Sequence, residues 1–138
     1  MVTFLRYWAP VCGYAGLIFY LSAQAHPEEH VPFVTHFSDK VLHAVEYAVF
    51  GALCYRALCR SGYDVWRQQA IPAAILLASL YGVSDEVHQA FVPFRDSNWL
   101  DWLADTVGAT LGAVGLSRIT QATVARAKPV RFSPHKTS

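Results

Sequence analysis

The sequence predicts an all-α fold, an integral membrane four-helix bundle with both termini on the cytoplasmic side. Three observations lead there. Apolar residues gather into four runs, each near the roughly 20 residues a helix needs to cross a bilayer. Only 15% of the 138 residues are charged and 54% are hydrophobic, whereas soluble domains carry about 25% charged residues. Basic residues also crowd into alternate connecting segments, the asymmetry that orients membrane helices. The length fits one domain, a bundle over residues 1–121 followed by a flexible cytoplasmic tail, 122–138. The charge deficit and a formal net charge of +1 exclude nucleic acid as a partner and exclude a disordered, solvating chain.

The first expected span covers residues 4–23, an apolar run interrupted by Tyr14 and Tyr20. Arg6, this run and Ala23-Gln24-Ala25 also imitate a secretory signal with its cleavage site. The run is longer than a signal core, so a retained helix is the expectation. The second span, 39–59, carries His43, Glu46 and Arg56. The third, 70–91, holds Asp85, Glu86, His88 and Gln89 in its last turns, and the fourth, 99–119, has Asp101 and Asp105 near its start. Nine of the 11 basic residues are Arg6, the trio Arg56, Arg60 and Arg67, and the group Arg118, Arg126, Lys128, Arg131 and Lys136. By the positive-inside rule these segments are cytoplasmic. Residues 24–38, with His26, Glu28, Glu29, His30 and His36, then face outward, as do residues 92–98. The protein is thus expected to be a multi-pass membrane protein. Cys12, Cys54 and Cys59 lie in apolar runs without a paired spacing and read as small apolar residues.

With this orientation, ionisable residues of three spans share one depth, beneath the outer surface. Glu46 lies ~10 Å below Asp39, and Asp105 and Asp85 each lie ~9 Å below the outer ends of their helices. Asp39, His43 and Glu46 follow i, i+4, i+7 spacing, one helical face. Asp101, Asp105, Gly108 and Gly112 follow i, i+4, i+7, i+11. Their face opens with carboxylates and continues as a small-xxx-small motif that lets a neighbouring helix approach closely, and Gly51 is expected to serve the second span likewise. Charges within spans are costly and mark function or pairing. Asp39, Glu46, Asp85, Glu86, Asp101 and Asp105 make six acids in the layer, against the two bases Lys40 and Arg95. The surplus implies carboxylates that are protonated, solvated or bound to a cation or ligand.

These residue types define candidate chemistry. His43, Asp85 and Glu86 are the candidate catalytic set, since a carboxylate beside an imidazole can act as acid or base. Asp39, Lys40, Glu46, Tyr47, Gln89, Arg95, Asp101 and Asp105 are the candidate ligand-binding set, with Arg95 suited to a phosphate headgroup. A divalent metal is a further option. The i, i+3 pairs His43-x-x-Glu46 and Asp85-x-x-His88, and the outer pair His26-x-x-x-His30, could each supply two ligands. Phe91, Phe94, Trp99 and Trp102 read as interfacial anchors. No nucleophile elbow, phosphate-cradling glycine loop or Ser-His-Asp spacing is present.

The run Asp39-Lys40-x-x-His43-x-x-Glu46-Tyr47-x-x-x-Gly51 resembles the second-helix motif of the VanZ-like family. Leu80-Tyr81-Gly82-x-x-Asp85-Glu86-x-x-Gln89-x-Phe91-x-Pro93-x-Arg95 resembles its third, and Asp101-x-x-Ala104-Asp105-x-x-Gly108-x-x-x-Gly112 its fourth. The end of the first span, Leu21-Ser22-Ala23-Gln24, is similar to the family's Ser-Ser-Gln ending with one serine replaced. Two further departures stand out. Asp105 occupies a position where the family usually has asparagine, and the family's usual Gly-Arg before the fourth helix reads Phe94-Arg95. The resemblance implies a bacterial membrane protein. The founding member contributes to resistance against teicoplanin, a lipoglycopeptide that acts on peptidoglycan precursors at the outer membrane face.

The leading expectation is therefore an outward polar cleft that binds or modifies a membrane lipid or lipid-linked envelope precursor, with glycopeptide resistance as one outcome. Two other readings stay open. One is a non-catalytic membrane adaptor whose polar layer is a structural network. The other is a proton-coupled transporter.

Overall fold

The computed structural model describes residues 2–24, 39–95 and 97–127. His26, Glu28, Glu29, His30 and His36, expected in an outward segment, lie outside the described residues, as do residues 128–138. The described residues form five helices and no strand: α1 (Val2–Ser22), α2 (Asp39–Cys59), α3 (Asp64–Gln68), α4 (Ala70–Gln89) and α5 (Trp99–Ala127).

The second expected span coincides with α2, and the first and third end within two residues of α1 and α4. The fourth differs at its C-terminal end, where α5 continues from residue 119 to Ala127. No glycine or proline interrupts the sequence between Gly115 and Pro129, and the intervening Ala, Gln and Arg residues are good helix formers. Helix α3 was not expected. It follows a turn at Gly62, whose φ of 84° is readily adopted only by glycine, and its first-turn Asp64 pairs with Arg67 at 3.2 Å. Of the five helices, α2 and α4 are long and apolar enough to cross a membrane. Arg6, Pro10 and several tyrosines dilute the apolar run of α1, and Asp101, Asp105 and the threonines do the same in α5.

Helix α2 is central and packs against α1, α4 and α5, while α4 also packs on α5. The α2–α5 contact is the closest. Gly51 lies against the backbone of Ala109, Gly108 against Ala44 and Gly112 against Ala48. A Cβ added at Gly108 would sit 2.8 Å from Ala44 Cα, and one at Gly112 would sit 2.9 Å from Ala48 Cα. The expected small-residue stripe is therefore where the two backbones touch.

The interior is built from small residues, with Ala57, Ala74, Ala78, Ala109 and Ala113 buried, whereas large apolar side chains such as Val45, Leu80, Leu111 and Ile119 point outward. Helix α1 is tied to its neighbours by hydroxyls: Tyr14 donates to the Glu46 carbonyl at 3.3 Å and Tyr81 donates to the Ala15 carbonyl at 2.7 Å. At the opposite end of the helices from the acidic residues, the guanidinium groups of Arg56 and Arg60 lie 5.2 and 5.9 Å from the centre of the Tyr7 ring.

Candidate functional site

The first turns of α2, the last turns of α4 and the first turns of α5 meet at one end of the molecule. Lys40 Nζ on α2 contacts Asp101 Oδ1 on α5 at 2.9 Å. One turn further in, His43 Nδ1 lies 2.9 Å from Asp105 Oδ1. His43 is buried and Asp105 is wholly so, at 6% and 0% exposure. On α4, Gln89 Nε2 donates to Asp85 Oδ2 at 3.1 Å, and the Gln89 carbonyl oxygen accepts from Arg95 at 3.3 Å.

Glu86 faces the connection into α5. Its Oε2 accepts from Ser97 Oγ at 3.0 Å and from the Asn98 backbone N–H at 2.8 Å. Asn98 in turn caps α5: its Oδ1 accepts from the Leu100 N–H at 3.0 Å, satisfying one of the orphan donors of a helix start. A few residues on, Trp102 Nε1 donates to Ser79 on α4 at 3.1 Å and fixes α5 against it.

Three carboxylate oxygens in the layer, Asp85 Oδ1, Glu86 Oε1 and Asp105 Oδ2, are buried without a hydrogen-bond partner among the described residues. Two groups of possible metal ligands form: Asp39 with His43 and Asp101, and His43 with Glu86 and Asp105. The first joins two residues of α2 to one of α5, the second takes one residue from each of α2, α4 and α5, and neither uses the expected i, i+3 pairs. His88 instead turns toward α1, where its ring stacks on Phe19 at a 4.3 Å centroid distance. The pair His26 and His30 lies outside the described residues.

A cavity of about 310 Å³ opens between α1 and α2 beside this layer. Asp39, His43, Glu46 and Arg95 give it a polar wall, and Leu17 and Leu42 belong to its apolar part. Tyr47, also in the expected binding set, is fully buried, edge-on to Phe50 at 6.0 Å, and its hydroxyl has no hydrogen-bond partner among the described residues. It follows His43 by one helical turn, and that spacing puts it on the packed face of α2.

The layer and the three glycine contacts between α2 and α5 fall within residues 8–120, the segment matched by the model of the VanZ/LLP1 family. The chain belongs to the VanZ/LLP1 family. No curated protein and no solved structure matches it. In this VanZ/LLP1 chain the sequence signalled His43, Asp85, Glu86, Asp101 and Asp105 as one layer, and they lie together. Ser97 and Asn98 are not among the candidate site residues, and Gly82 enters only through the motif that carries the resemblance. Asn98 could have been found as a cap residue immediately before an apolar run. Gly82 matters because a Cβ there would lie 3.0 Å from Asp105 Oδ2, a contact between two helices that spacing along one helix does not reveal.

Proposed function

We propose that this VanZ/LLP1 protein is a multi-pass protein of the bacterial inner membrane whose four long helices span the bilayer, both termini being cytoplasmic. Its polar layer then opens toward the outer leaflet and binds the headgroup of an anionic lipid or lipid-linked envelope precursor. The observation that carries this reading is the cavity between α1 and α2, which joins a charged wall to an apolar one. Such a lining suits an amphiphile. Arg95 engages a phosphate, while an acyl or polyprenyl chain lies along Leu17 and Leu42. The membrane setting is supported by an interior of alanine and carboxylates beneath an exterior of large apolar side chains, an arrangement unfavourable in water and suited to lipid.

The test is native mass spectrometry of the protein released from nanodiscs that contain phosphatidylglycerol and phosphatidylcholine. The expected result is preferential retention of phosphatidylglycerol by the wild type and its loss in Arg95→Ala. Equal retention of both lipids, or retention unchanged in Arg95→Ala, refutes the reading. The resistance role is tested by expression in a teicoplanin-sensitive Gram-positive host, comparing wild type with the Glu86→Gln, His43→Ala double variant at equal membrane abundance. Protection by the wild type alone supports envelope chemistry at the polar layer. Equal protection by both supports a second reading, an adaptor with a structural polar layer. That reading is favoured by the bonds from Ser97 and Asn98 that use Glu86 to pin the start of α5.

A further inference from the structure

Among the described residues, carboxylates of the acidic layer share a pattern: one oxygen is held and the other has no partner. Asp105 Oδ1 is engaged by His43, while Oδ2 has no hydrogen bond. Glu86 Oε2 takes two donors, from Ser97 and Asn98, while Oε1 has none. Asp85 Oδ2 accepts from Gln89, while Oδ1 has none. These residues are 0–7% exposed, so water does not fill the role of the missing donors at the surface. Buried carboxylate oxygens without donors are costly, and three in neighbouring positions on two packed helices more so. Of the cationic side chains nearby, Lys40 pairs with Asp101 and Arg95 donates to Gln89, and neither is seen to bond these three oxygens.

Geometry converges on one point. A ring nitrogen of His43, a carboxylate oxygen of Glu86 and one of Asp105 all lie within 4.8 Å of one another, although they come from α2, α4 and α5. Ligands around a small divalent ion at 2.0–2.2 Å fall about 3–4 Å apart, which small rotations reach from here. Glu86 already has orienting partners in Ser97 and the Asn98 N–H, the arrangement that holds metal ligands in place. A neutral His43 with its proton on Nε2 presents the Nδ1 lone pair 2.9 Å from Asp105 Oδ1, close to the spacing of two ligands on one small ion. Gly82 adds room, since a side chain there would press on Asp105 Oδ2 at 3.0 Å.

We propose that His43, Glu86 and Asp105 form a divalent-cation site that joins α2, α4 and α5, with Asp85 adding negative charge beside it. One imidazole with carboxylates suits a borderline ion of the Mn²⁺ or Zn²⁺ class better than Ca²⁺ or Mg²⁺, which prefer oxygen alone. The inference stands on these three residues and goes beyond the lipid reading. If both hold, the cation supplies positive charge that a phosphate headgroup needs beside so many carboxylates.

The test uses the full-length protein in detergent micelles, stripped with chelator and titrated with Mn²⁺ followed by electron paramagnetic resonance. Thermal unfolding is measured with and without the ion, and the titration is repeated with Zn²⁺ and Ca²⁺ by calorimetry. The wild type is expected to take up one equivalent of Mn²⁺ saturably and to unfold at a higher temperature when loaded. Glu86→Gln and Asp105→Asn each weaken uptake by about 10–100-fold or more. Gly82→Ala, which alters no ligand, weakens it as well. Asp64→Asn, at an exposed position far from the layer, leaves it unchanged. If the Glu86 variant fails to fold without metal, the near-isosteric Asp105→Asn and Gly82→Ala still decide.

No saturable uptake of Mn²⁺ or Zn²⁺ by the wild type overturns the proposal and points to protons as the source of neutralisation. Uptake undiminished in both carboxylate variants also overturns it. Tighter binding of Ca²⁺ than of Mn²⁺ overturns the assignment of ion class. Phosphatidylglycerol retention measured in chelator separates the two readings: retention that still depends on Arg95, without metal uptake, rejects the cation site alone. Metal uptake without selective lipid retention rejects the lipid reading alone.

Discussion

The most informative perturbation of the framework is Gly108→Ala. Its added Cβ would lie 2.8 Å from Ala44 Cα and 2.7 Å from Ala44 C, both backbone atoms of α2. Nonbonded carbons rest at about 3.5–4.0 Å, so the helices must part locally by roughly 0.7–1.2 Å. Overpacking of this kind costs about 1–3 kcal/mol. It is opposed by the ~0.5–1 kcal/mol that alanine gains over glycine within a helix, which leaves a net loss of about 0–2.5 kcal/mol, toward the upper end here because the contact is with backbone. The displacement falls one turn from Asp105 and beside His43. It would stretch their 2.9 Å contact to roughly 3.6–4.1 Å, beyond hydrogen-bond range. Gly115→Ala on the same helix is the control, because nothing lies within 4 Å of a Cβ there. Thermal unfolding in detergent should show Gly108→Ala below wild type and Gly115→Ala at or above it, and Mn²⁺ uptake should fall only in Gly108→Ala. Equal unfolding temperatures for the two variants would refute the reasoning, since the α2–α5 contact would then be looser than a glycine contact requires.

Two further changes test the connection into α5. Asn98→Ala removes the side-chain cap on the Leu100 N–H but keeps the backbone N–H that binds Glu86. It should lower stability by about 1 kcal/mol while cation uptake persists, which denaturation and titration on one preparation would check. Phe94 has a φ of 63°, a left-handed conformation that costs a side chain ~1–2 kcal/mol. Phe94→Gly, partly offset by glycine's ~0.5–1 kcal/mol of extra chain entropy, should raise stability by up to ~1 kcal/mol, read as a higher unfolding temperature. A marked loss would mean that the ring's own contacts outweigh the backbone strain.

The helices were legible because long apolar runs and their breakers are one-dimensional signals. Asp39 opens α2 and Trp99 opens α5 where the composition changes from polar to apolar. The close approach of two helices was legible as well, in Gly108 and Gly112 at small-xxx-small spacing. Pairing across helices was not. Spacing brings residues three or four apart onto one face, and on that basis His43 belongs with Glu46 and Asp85 with His88. The structure joins His43 to Asp105 and Lys40 to Asp101 instead. At a glycine contact the neighbouring backbone is nearer than the next turn of the same helix, so partners are chosen by which residues flank the glycines. That choice depends on the register of α2 against α5, which neither helix encodes alone. The position of Phe94 shows the converse. Resemblance to a motif with glycine before its arginine already marked the site, and the positive φ supplies the physical reason that glycine suits it.

The register also gives Asp105 its meaning. Gly108 follows it by three residues and Ala44 follows His43 by one, so the contact that seats Gly108 on Ala44 delivers the imidazole to the carboxylate. An asparagine at residue 105, as the family resemblance leads one to expect, would satisfy this geometry without charge. Its carbonyl oxygen would accept from His43, and its amide would face the side of Gly82 where Asp105 Oδ2 has no partner. The carboxylate found in this chain makes a different demand, because a second buried oxygen requires a positive partner or a proton. Asp105→Asn should therefore move two quantities in opposite directions. Stability of the metal-stripped protein should rise, as the neutral amide removes a buried negative charge from beside Asp85 and Glu86. The added stability on loading with Mn²⁺ should shrink, as a ligand is lost. Thermal unfolding of both proteins, stripped and loaded, measures the four values required. If Asp105→Asn lowers stability in the stripped state, the carboxylate is serving the fold through His43 rather than waiting for a cation, and the polar layer is a structural network.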